Sequence, residues 1–282
     1  MRSDPNAGVG TQIWPARATG RALLLVALRA VPAAAETPSE HKPANVLEAT
    51  LGDNDRAPEI STAELRSALS RGDVTVLDAR PYAEYAVSHI PGALAVAGKP
   101  GMKPSQYTAD AADVARVASD RTTALIVYCN GLYCGRSKRF AADLASAGYT
   151  NVKRYQLGIP AWRALGGVTQ VEKDALESLL ARDGTAVLVD AREPAPAQAR
   201  LRHAVVIPVA ETTAAKDDGR LPMTDHNTRI FVVGANAEQA RAVAEAIVKD
   251  AFHNVSFFGG SIAELRNLLA PAPRPSHVLT PR

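Results

Sequence analysis

The chain has 282 residues, of which 46% are hydrophobic, 22% charged and 5% aromatic. This composition excludes disordered and fibrous proteins, and at roughly 100–200 residues per domain the length suggests two domains. No run approaches the roughly 18 consecutive apolar residues of a membrane-spanning helix. The net charge of +3 lies in residues 1–35, which hold four arginines and one aspartate. The charges of the rest of the chain sum to zero, which does not support a basic surface for nucleic acid or a membrane.

Residues 1–35 have the arrangement of a secretory signal peptide. Arg17 and Arg21 precede the apolar stretch 22–28, and the small residues 33–35 follow as a cleavage site. We therefore predict export to a bacterial periplasm, with no stable membrane insertion after cleavage. The alternative is a disordered tail with an incidental apolar patch, because Arg29 interrupts the apolar core. Residues 36–57 are predicted to be a linker and residues 271–282 a disordered tail.

The remainder repeats one pattern about 110 residues apart. An amphipathic helix over 63–69 precedes an apolar strand that runs into Asp78-Ala79-Arg80, and a helix over 175–180 precedes a strand that runs into Asp190-Ala191-Arg192. We interpret this order as an internal duplication. Each copy alternates short apolar strands with helices, which is typical of a parallel sheet covered on both faces.

Cys129 directly follows the buried-type strand 125–128 and precedes a helix predicted over 138–147. Ligands of open α/β sheets bind at the carboxyl ends of strands. Unpaired amides at a helix amino terminus favour a thiolate and can receive an anion. This position predicts that Cys129 is a nucleophile, although a free cysteine can also be a small buried hydrophobe.

Four motifs follow one another in the chain, at residues 76–80, 88–93, 127–129 with Arg136-Ser137, and 158–162. Together they resemble a rhodanese (sulfurtransferase) domain. The similarity covers residues 58–168, and residues 169–270 resemble a second, degenerate rhodanese domain with Gly234 at the position of Cys129. The resemblance implies an α/β fold of two three-layer domains, each a mostly parallel sheet flanked by helices.

The resemblance further implies a thiosulfate sulfurtransferase-like enzyme that needs no cofactor. The thiolate of Cys129 would take the outer sulfur of a donor such as thiosulfate, and the persulfide would pass it to cyanide or a thiol. Arg136 would hold the anionic end of the donor, while Asp78 and Arg80 would support the loop. The implied substrate-binding loop comprises Asn130, Gly131, Leu132, Tyr133, Cys134, Gly135, Arg136 and Ser137.

The loop departs from the family in two ways. Six residues separate Cys129 from Arg136 where four are usual, which leaves the donor open. A five-residue spacing occurs in rhodanese-fold phosphatases, to which this loop fits less well. Cys134 is either an ordinary loop cysteine or a resolving thiol that attacks the persulfide or pairs with Cys129. Two cysteines with no histidine beside them exclude a closed zinc site of four protein ligands, and no metal is predicted.

Three functions are compatible with the sequence. The leading prediction is a periplasmic sulfurtransferase that acts through a Cys129 persulfide. The alternatives are a thiol-disulfide oxidoreductase that uses Cys129 and Cys134, and a non-catalytic sulfur-carrier or binding module that docks through its second domain. The predicted partners are a small anionic sulfur donor and a thiol or cyanide acceptor. Neither a G-x-G-x-x-G nor a P-loop sequence is present, so no nucleotide cofactor is predicted.

Overall fold

The computed structural model describes residues 57–96, 110–193, 201–265 and 268–269. The predicted signal peptide, the predicted tail over 271–282 and, apart from Ala57, the predicted linker lie outside these residues. Within the described ranges, no helix combines the length and the apolar character needed to cross a bilayer.

The first half of the described chain (residues 57–168) opens with a helix whose ends follow from its sequence. The Ser61 hydroxyl accepts the Glu64 N–H at 3.2 Å, and the Glu64 carboxylate accepts the Ser61 N–H at 2.8 Å, which forms a capping box. Gly72 ends the helix at a φ of +69°. The elements are α1 (Thr62–Arg71), β1 (Thr75–Asp78), α2 (Tyr82–Val87), β2 (Leu94–Ala95), α3 (Ala111–Val114), β3 (Leu125–Tyr128), α4 (Gly135–Ser146), β4 (Val152–Tyr155) and α5 (Gly158–Ala164).

The second half (from residue 169 onward) follows after only four residues. Its strands and helices are β5 (Thr169–Val171), α6 (Lys173–Arg182), β6 (Val187–Asp190), β7 (Ala204–Val206), α7 (Thr212–Ala215), β8 (Ile230–Val233), α8 (Ala237–Ile247) and β9 (Val255–Phe258). Short 3₁₀ turns cover Val209–Glu211, Val248–Asp250 and Ile262–Glu264.

The two sheets share one topology. The strands of the second sheet lie in the order β5-β9-β8-β6-β7, and those of the first in the order β2-β1-β3-β4. All of these pairs are parallel. Glu59 extends the first sheet through a parallel bridge to Arg154 of β4, at the place that β5 occupies beside β9. The internal duplication inferred from the sequence is therefore a repeat of the fold as well.

Alternate strand residues face two separate apolar clusters, which makes each half a three-layer structure. Leu77 of β1 packs with α4 on one face of its sheet, and Val76 packs with α1 and α5 on the other. In the second half, Val189 of β6 packs with α8 and Leu188 packs with α6. The predicted fold class, two three-layer α/β domains with parallel sheets, is confirmed.

Main-chain hydrogen bonds join the two halves at His89. The N–H groups of His89 and Gln170 donate to each other's carbonyls at 2.9 and 2.8 Å, and the Glu172 N–H donates to the Ala86 carbonyl at 2.8 Å. The imidazole of His89 stacks on Tyr85 with ring centroids 3.9 Å apart. Burial lowers the pKa of His89 to about 4. The ring is therefore neutral at pH 7, and its contacts are those of a structural residue.

Candidate active site

Cys129 lies at the carboxyl end of the central strand β3. The register of β1 and β3 pairs Asp78 with Tyr128, so the last residues of both strands reach the same edge of the sheet. Cys129 follows Tyr128 directly and is 1% exposed. A buried strand thus delivers the sulfur to the edge where parallel sheets bind their ligands.

The segment from Cys129 to Ser137, called here the cysteine loop, turns back sharply before α4. Gly131 adopts a φ of +107°, and the Cys134 N–H donates to the Gly131 carbonyl at 2.9 Å. α4 begins at Gly135 with Cys134 as its N-cap residue. The sequence-based helix start at Lys138 is therefore wrong by three residues, and the end of the loop forms the first turn of α4.

Gly158 closes the cysteine loop from the side of β4. It adopts a φ of +65°, and the Ile159 N–H donates to the Cys129 carbonyl at 3.1 Å. A Cβ atom on Gly158 would lie 2.3 Å from that carbonyl oxygen and 2.4 Å from the Gly131 nitrogen. Only glycine fits this approach without displacing backbone. Gly158 was absent from the predicted site residues, although a glycine shortly after a strand was a visible signal.

The two sulfur atoms of the loop have different surroundings. The Cys129 Sγ lies 3.2 Å from the Cys134 carbonyl oxygen and 3.3 Å from the Ser137 Oγ, so its S–H can donate to the carbonyl while the Ser137 hydroxyl donates to the sulfur. The hydrogen bond to the Cys134 side chain, followed by burial, raises the pKa of Cys129. The Cys129 thiol and the N–H groups of Asn130 and Arg136 lower the pKa of Cys134. The thiolate was expected on Cys129, but this arrangement favours it on Cys134, because the loop amides point at that sulfur.

Arg136 of the cysteine loop forms an ion pair with a residue of α2. Its Nη1 lies 3.6 Å from the Oε1 of Glu84 in α2. The Asn130 amide donates to the other oxygen of Glu84 at 2.5 Å. Glu84 therefore binds both ends of the cysteine loop, and the positive charge of Arg136 is partly neutralised in this state. This contact joins residues 46 positions apart.

The other predicted loop residues differ in exposure. Ser137 is buried beside Cys129, and Leu132 is half-buried. Tyr133 is 83% exposed at the tip of the loop. Gly135 has open space around its Cα. The predicted loop therefore forms one continuous structure in which Cys129 and Ser137 line the interior and Tyr133 lies in solvent.

Asp78 and Arg80 form a buried ion pair behind the loop. The Arg80 Nη2 lies 2.5 Å from the Asp78 carboxylate and 2.6 Å from the Ser88 carbonyl. The Tyr128 hydroxyl donates to the same carboxylate at 2.5 Å and accepts the Ile90 N–H at 3.1 Å. The pair thus binds the segment around His89 to the residue that precedes Cys129. It reaches the loop through Tyr128.

The described part of the chain brings together no group of three or more His, Cys, Asp or Glu side chains that could hold a metal ion. Both cysteines are free thiols. The cysteine loop brings together two sulfur atoms, backbone N–H groups and one hydroxyl.

Comparison with known proteins places this geometry in a family. A family model described as Rhodanese-like domain matches the chain twice, over residues 61–165 and 172–268. A helix-turn-helix-type transcriptional regulator from Mycobacterium tuberculosis is 35% identical over 107 residues, which are 38% of this chain and 42% of the regulator. This chain therefore spans about two-fifths of the length of that relative.

Two solved structures extend over more of the chain. A thiosulfate sulfurtransferase from Pseudomonas aeruginosa is 21% identical and covers 77% of this chain and 46% of its own, with a TM-score of 0.35. The 3-mercaptopyruvate sulfotransferase SseA from Escherichia coli is 18% identical and covers 73% of this chain and 98% of its own, with a TM-score of 0.33.

Proposed function

This chain belongs to the rhodanese-like domain family, and we propose that its first half is a sulfurtransferase in which Cys129 carries the sulfur. One observation carries the proposal. The Cys129 sulfur stands at the carboxyl end of β3, 3.3 Å from the Ser137 hydroxyl, inside a loop that Gly158 closes against its backbone. A sulfur beside the hydroxyl and the N–H of Ser137 has hydrogen-bond donors for a persulfide anion.

The proposed reaction has two displacements. The Cys129 thiolate attacks the outer sulfur of thiosulfate, the S–S bond of the donor breaks, and sulfite leaves with the electron pair. An acceptor thiolate or cyanide then attacks the outer sulfur of the Cys129 persulfide. That S–S bond breaks in turn, and the electron pair returns to Cys129 as a thiolate. No oxidant or reductant is consumed.

The first displacement requires the thiolate of Cys129. The Ser137 hydroxyl, whose Oγ lies 3.3 Å from the Cys129 Sγ, can donate a hydrogen bond to that thiolate once the proton has left.

Residues 1–35 support a periplasmic location for this reaction. Their basic residues, apolar stretch and small-residue site have the order of a signal peptide. In that compartment the proposed donor is a small sulfur-containing anion and the proposed acceptor a thiol or cyanide.

The test is sulfur loading of the full chain. The protein is reduced, incubated with thiosulfate, and examined by intact mass and peptide mapping. We expect one extra sulfur atom on the peptide that holds Cys129, and its loss when cyanide is added. Cys129→Ser should remain unloaded while its circular dichroism spectrum stays that of the wild type. Sulfur transfer by the folded Cys129→Ser protein would overturn the proposal.

A second function, thiol-disulfide exchange, is favoured by the position of Cys134. Its sulfur lies at the N-cap of α4, and the amides that lower its pKa favour a nucleophilic thiolate. In this reaction Cys129 and Cys134 would lose two electrons and two protons to a substrate disulfide, which would leave as two thiols. The chain would be left with a Cys129–Cys134 disulfide.

The variant Cys134→Ser separates the two functions. Persulfide loading should survive the substitution, because Cys129 remains, whereas disulfide exchange should disappear. Alkylation by iodoacetamide should modify Cys134 at a pH where an ordinary thiol is still protonated, and should reach Cys129 only at higher pH. Loss of loading in Cys134→Ser, together with retained oxidation of the wild-type pair, would favour exchange over transfer.

A further inference from the structure

A cavity of about 470 Å³ lies between the two halves, beside the cysteine loop. The Asn130 side of the loop and the α5 residue Pro160 form part of its wall, whereas Cys129 is not among the described residues that line it. Both halves therefore contribute to a space that is next to the cysteine loop. Its polar lining consists mainly of Arg80 and Arg163 from the first half and Arg229, Asn254 and Ser256 from the second.

The charge of this cavity is positive and incompletely neutralised. Arg80 is paired with Asp78, and Arg229 lies 3.1 Å from the Asp183 carboxylate. Arg163 has no such partner among the described residues, and its Nε is buried without a hydrogen bond. Burial, followed by the charges of Arg80 and Arg229, lowers the pKa of Arg163. A buried donor that lacks a partner is costly, and an anion would relieve that cost.

Among the described residues that line the cavity, the one carboxylate is already hydrogen-bonded and paired. Glu84 accepts a hydrogen bond from Asn130 and faces Arg136 on the cysteine loop. It is therefore not free to neutralise Arg163. For the same reason Arg136, the residue expected to hold a donor anion, is less available for that role than Arg163.

We infer that this cavity binds a small oxyanion, the anionic end of the sulfur donor, between Arg163 of the first half and Arg229 of the second. The inference rests on the proposed function and deepens it, because it assigns a substrate-binding residue to the half without a cysteine. The planar guanidinium of Arg163 can donate two parallel hydrogen bonds to a carboxylate or a sulfur oxyanion. An anion seated there would lie next to Asn130, at the entrance to the cysteine loop.

Binding is tested on the full-length Cys129→Ser chain, which cannot turn the donor over. Titration calorimetry with thiosulfate, and separately with sulfite, should give a measurable Kd at constant ionic strength. Arg163→Gln should weaken binding at least ten-fold, and Arg229→Gln should weaken it by a smaller factor. Arg241→Gln removes an exposed arginine of α8 that pairs with Glu245, so it controls for net charge and should retain the Kd. Equal affinity in the Arg163→Gln and Arg241→Gln proteins would overturn the inference.

Thermal unfolding provides a second readout that a structural role for Arg163 would not give. Without an anion, Arg163→Gln should unfold at the same temperature as the Cys129→Ser chain or higher, because it removes a half-buried cation whose Nε is buried without a hydrogen bond. Thiosulfate should raise the Tm of the Cys129→Ser chain but not that of the same chain with Arg163→Gln. A large fall in Tm in the absence of anion would instead show that Arg163 supports the fold, and would overturn the assignment.

Kinetics on the Cys129 protein separate failure of the inference from failure of the proposed function. With active enzyme, Arg163→Gln should raise the KM for thiosulfate about ten-fold and leave kcat nearly unchanged, as expected for loss of uniform binding. Normal sulfur loading with an unchanged KM would overturn the inference and leave the sulfurtransferase proposal standing. Arg163-dependent binding without any loading would support the anion site and contradict the sulfurtransferase proposal.

Discussion

The loops that follow β3 and β8 occupy equivalent places in the two sheets but enclose different spaces. Identical registers pair Asp78 with Tyr128 in one sheet and Asp190 with Val233 in the other, so Gly234 stands where Cys129 does. Five residues separate Cys129 from the start of α4, whereas two separate Gly234 from α8. A Cβ atom on Gly234 would already lie 2.8 Å from the Ala240 nitrogen. The shorter loop leaves no room for a sulfur atom.

The segments that follow β4 and β9 also differ between the two halves. Gly158 is the third residue after β4 and adopts a φ of +65°, which brings it against the Cys129 carbonyl. The third residue after β9 is Ser261, whose φ is −94°. The second half therefore lacks the nucleophile, the length of the loop and the glycine that closes it. A functional cysteine loop requires all three features. The glycine is needed only where a long loop has to lie against the strand.

The largest effect is expected from Gly158→Ala. The new methyl group would overlap the backbone of Cys129 and Gly131, and a left-handed alanine adds strain. We expect a loss of about 4 kcal/mol in the free energy of unfolding, and loss of sulfur loading. The matched control is Gly166→Ala, which has a φ of +76° and open space, and should cost about 1 kcal/mol. Urea denaturation measures both, and equal losses would contradict the role assigned to Gly158.

The ion pairs at the strand ends provide the next comparison. Asp78 is fully buried and binds both Arg80, which is 3% exposed, and Tyr128, whereas Arg192 beside Asp190 is 17% exposed. Asp78→Asn leaves the buried guanidinium of Arg80 without its carboxylate partner. The free energy of unfolding should fall by about 3 kcal/mol. Asp190→Asn should cost about 1 kcal/mol because water reaches its arginine. A larger loss in the second half, by urea denaturation, would reverse this ranking.

A smaller effect is expected from pH at the junction. The pKa of His89 is about 4 in the folded chain and lies near the ordinary 6.5 when unfolded, so the folded state favours the neutral ring. Stability is complete above pH 6.5 and falls towards pH 4, because the unfolded chain then binds the extra proton. The loss is at most about 3 kcal/mol.

Carboxylates also titrate over this range, so the measurement is a difference in slope. Urea denaturation from pH 7 to pH 4 is compared between the wild type and His89→Gln. The variant should be less pH-dependent, although less stable at neutral pH. The exposed His203 of the second half supplies the matched control, His203→Gln. An unchanged pH dependence in His89→Gln would show that the buried ring does not contribute.

The smallest effect is expected when a cysteine is placed in the second loop. Gly234→Cys, made in the Cys129→Ser background, should not restore sulfur loading and should cost about 1–2 kcal/mol through overlap with the start of α8. Intact mass after thiosulfate treatment measures the loading. If that cysteine did acquire a sulfur atom, the nucleophile alone would suffice, and the comparison of the two loops would lose its basis.

Local patterns in the sequence predicted the order of strands and helices, the duplication and the position of Cys129. They did so because buried strands and amphipathic helices each produce a characteristic spacing of apolar residues in the sequence. The start of α4 was missed, since no usual N-cap residue marks it and Cys134 takes that place. The lower pKa of Cys134 also escaped prediction, because it depends on where the amides of a folded loop point.

Contacts between distant residues were equally beyond a single sequence. No pattern in the sequence predicts that Glu84 binds Asn130 and Arg136, because these contacts form only when α2 packs beside the cysteine loop. Arg163 and Arg229 belong to different halves and meet only across the cavity. A cavity of this kind follows from packing, for which charge patterning along one chain carries no signal.

The bridge between His89 and Gln170 affects how the protein unfolds. It fastens the first strand of the second sheet to the segment that Arg80 holds in the first, across a connection of only four residues. Unfolding of either half would therefore expose a sheet edge of the other half. Heating should produce one calorimetric peak in place of two, and removal of either half by proteolysis should leave a fragment that aggregates.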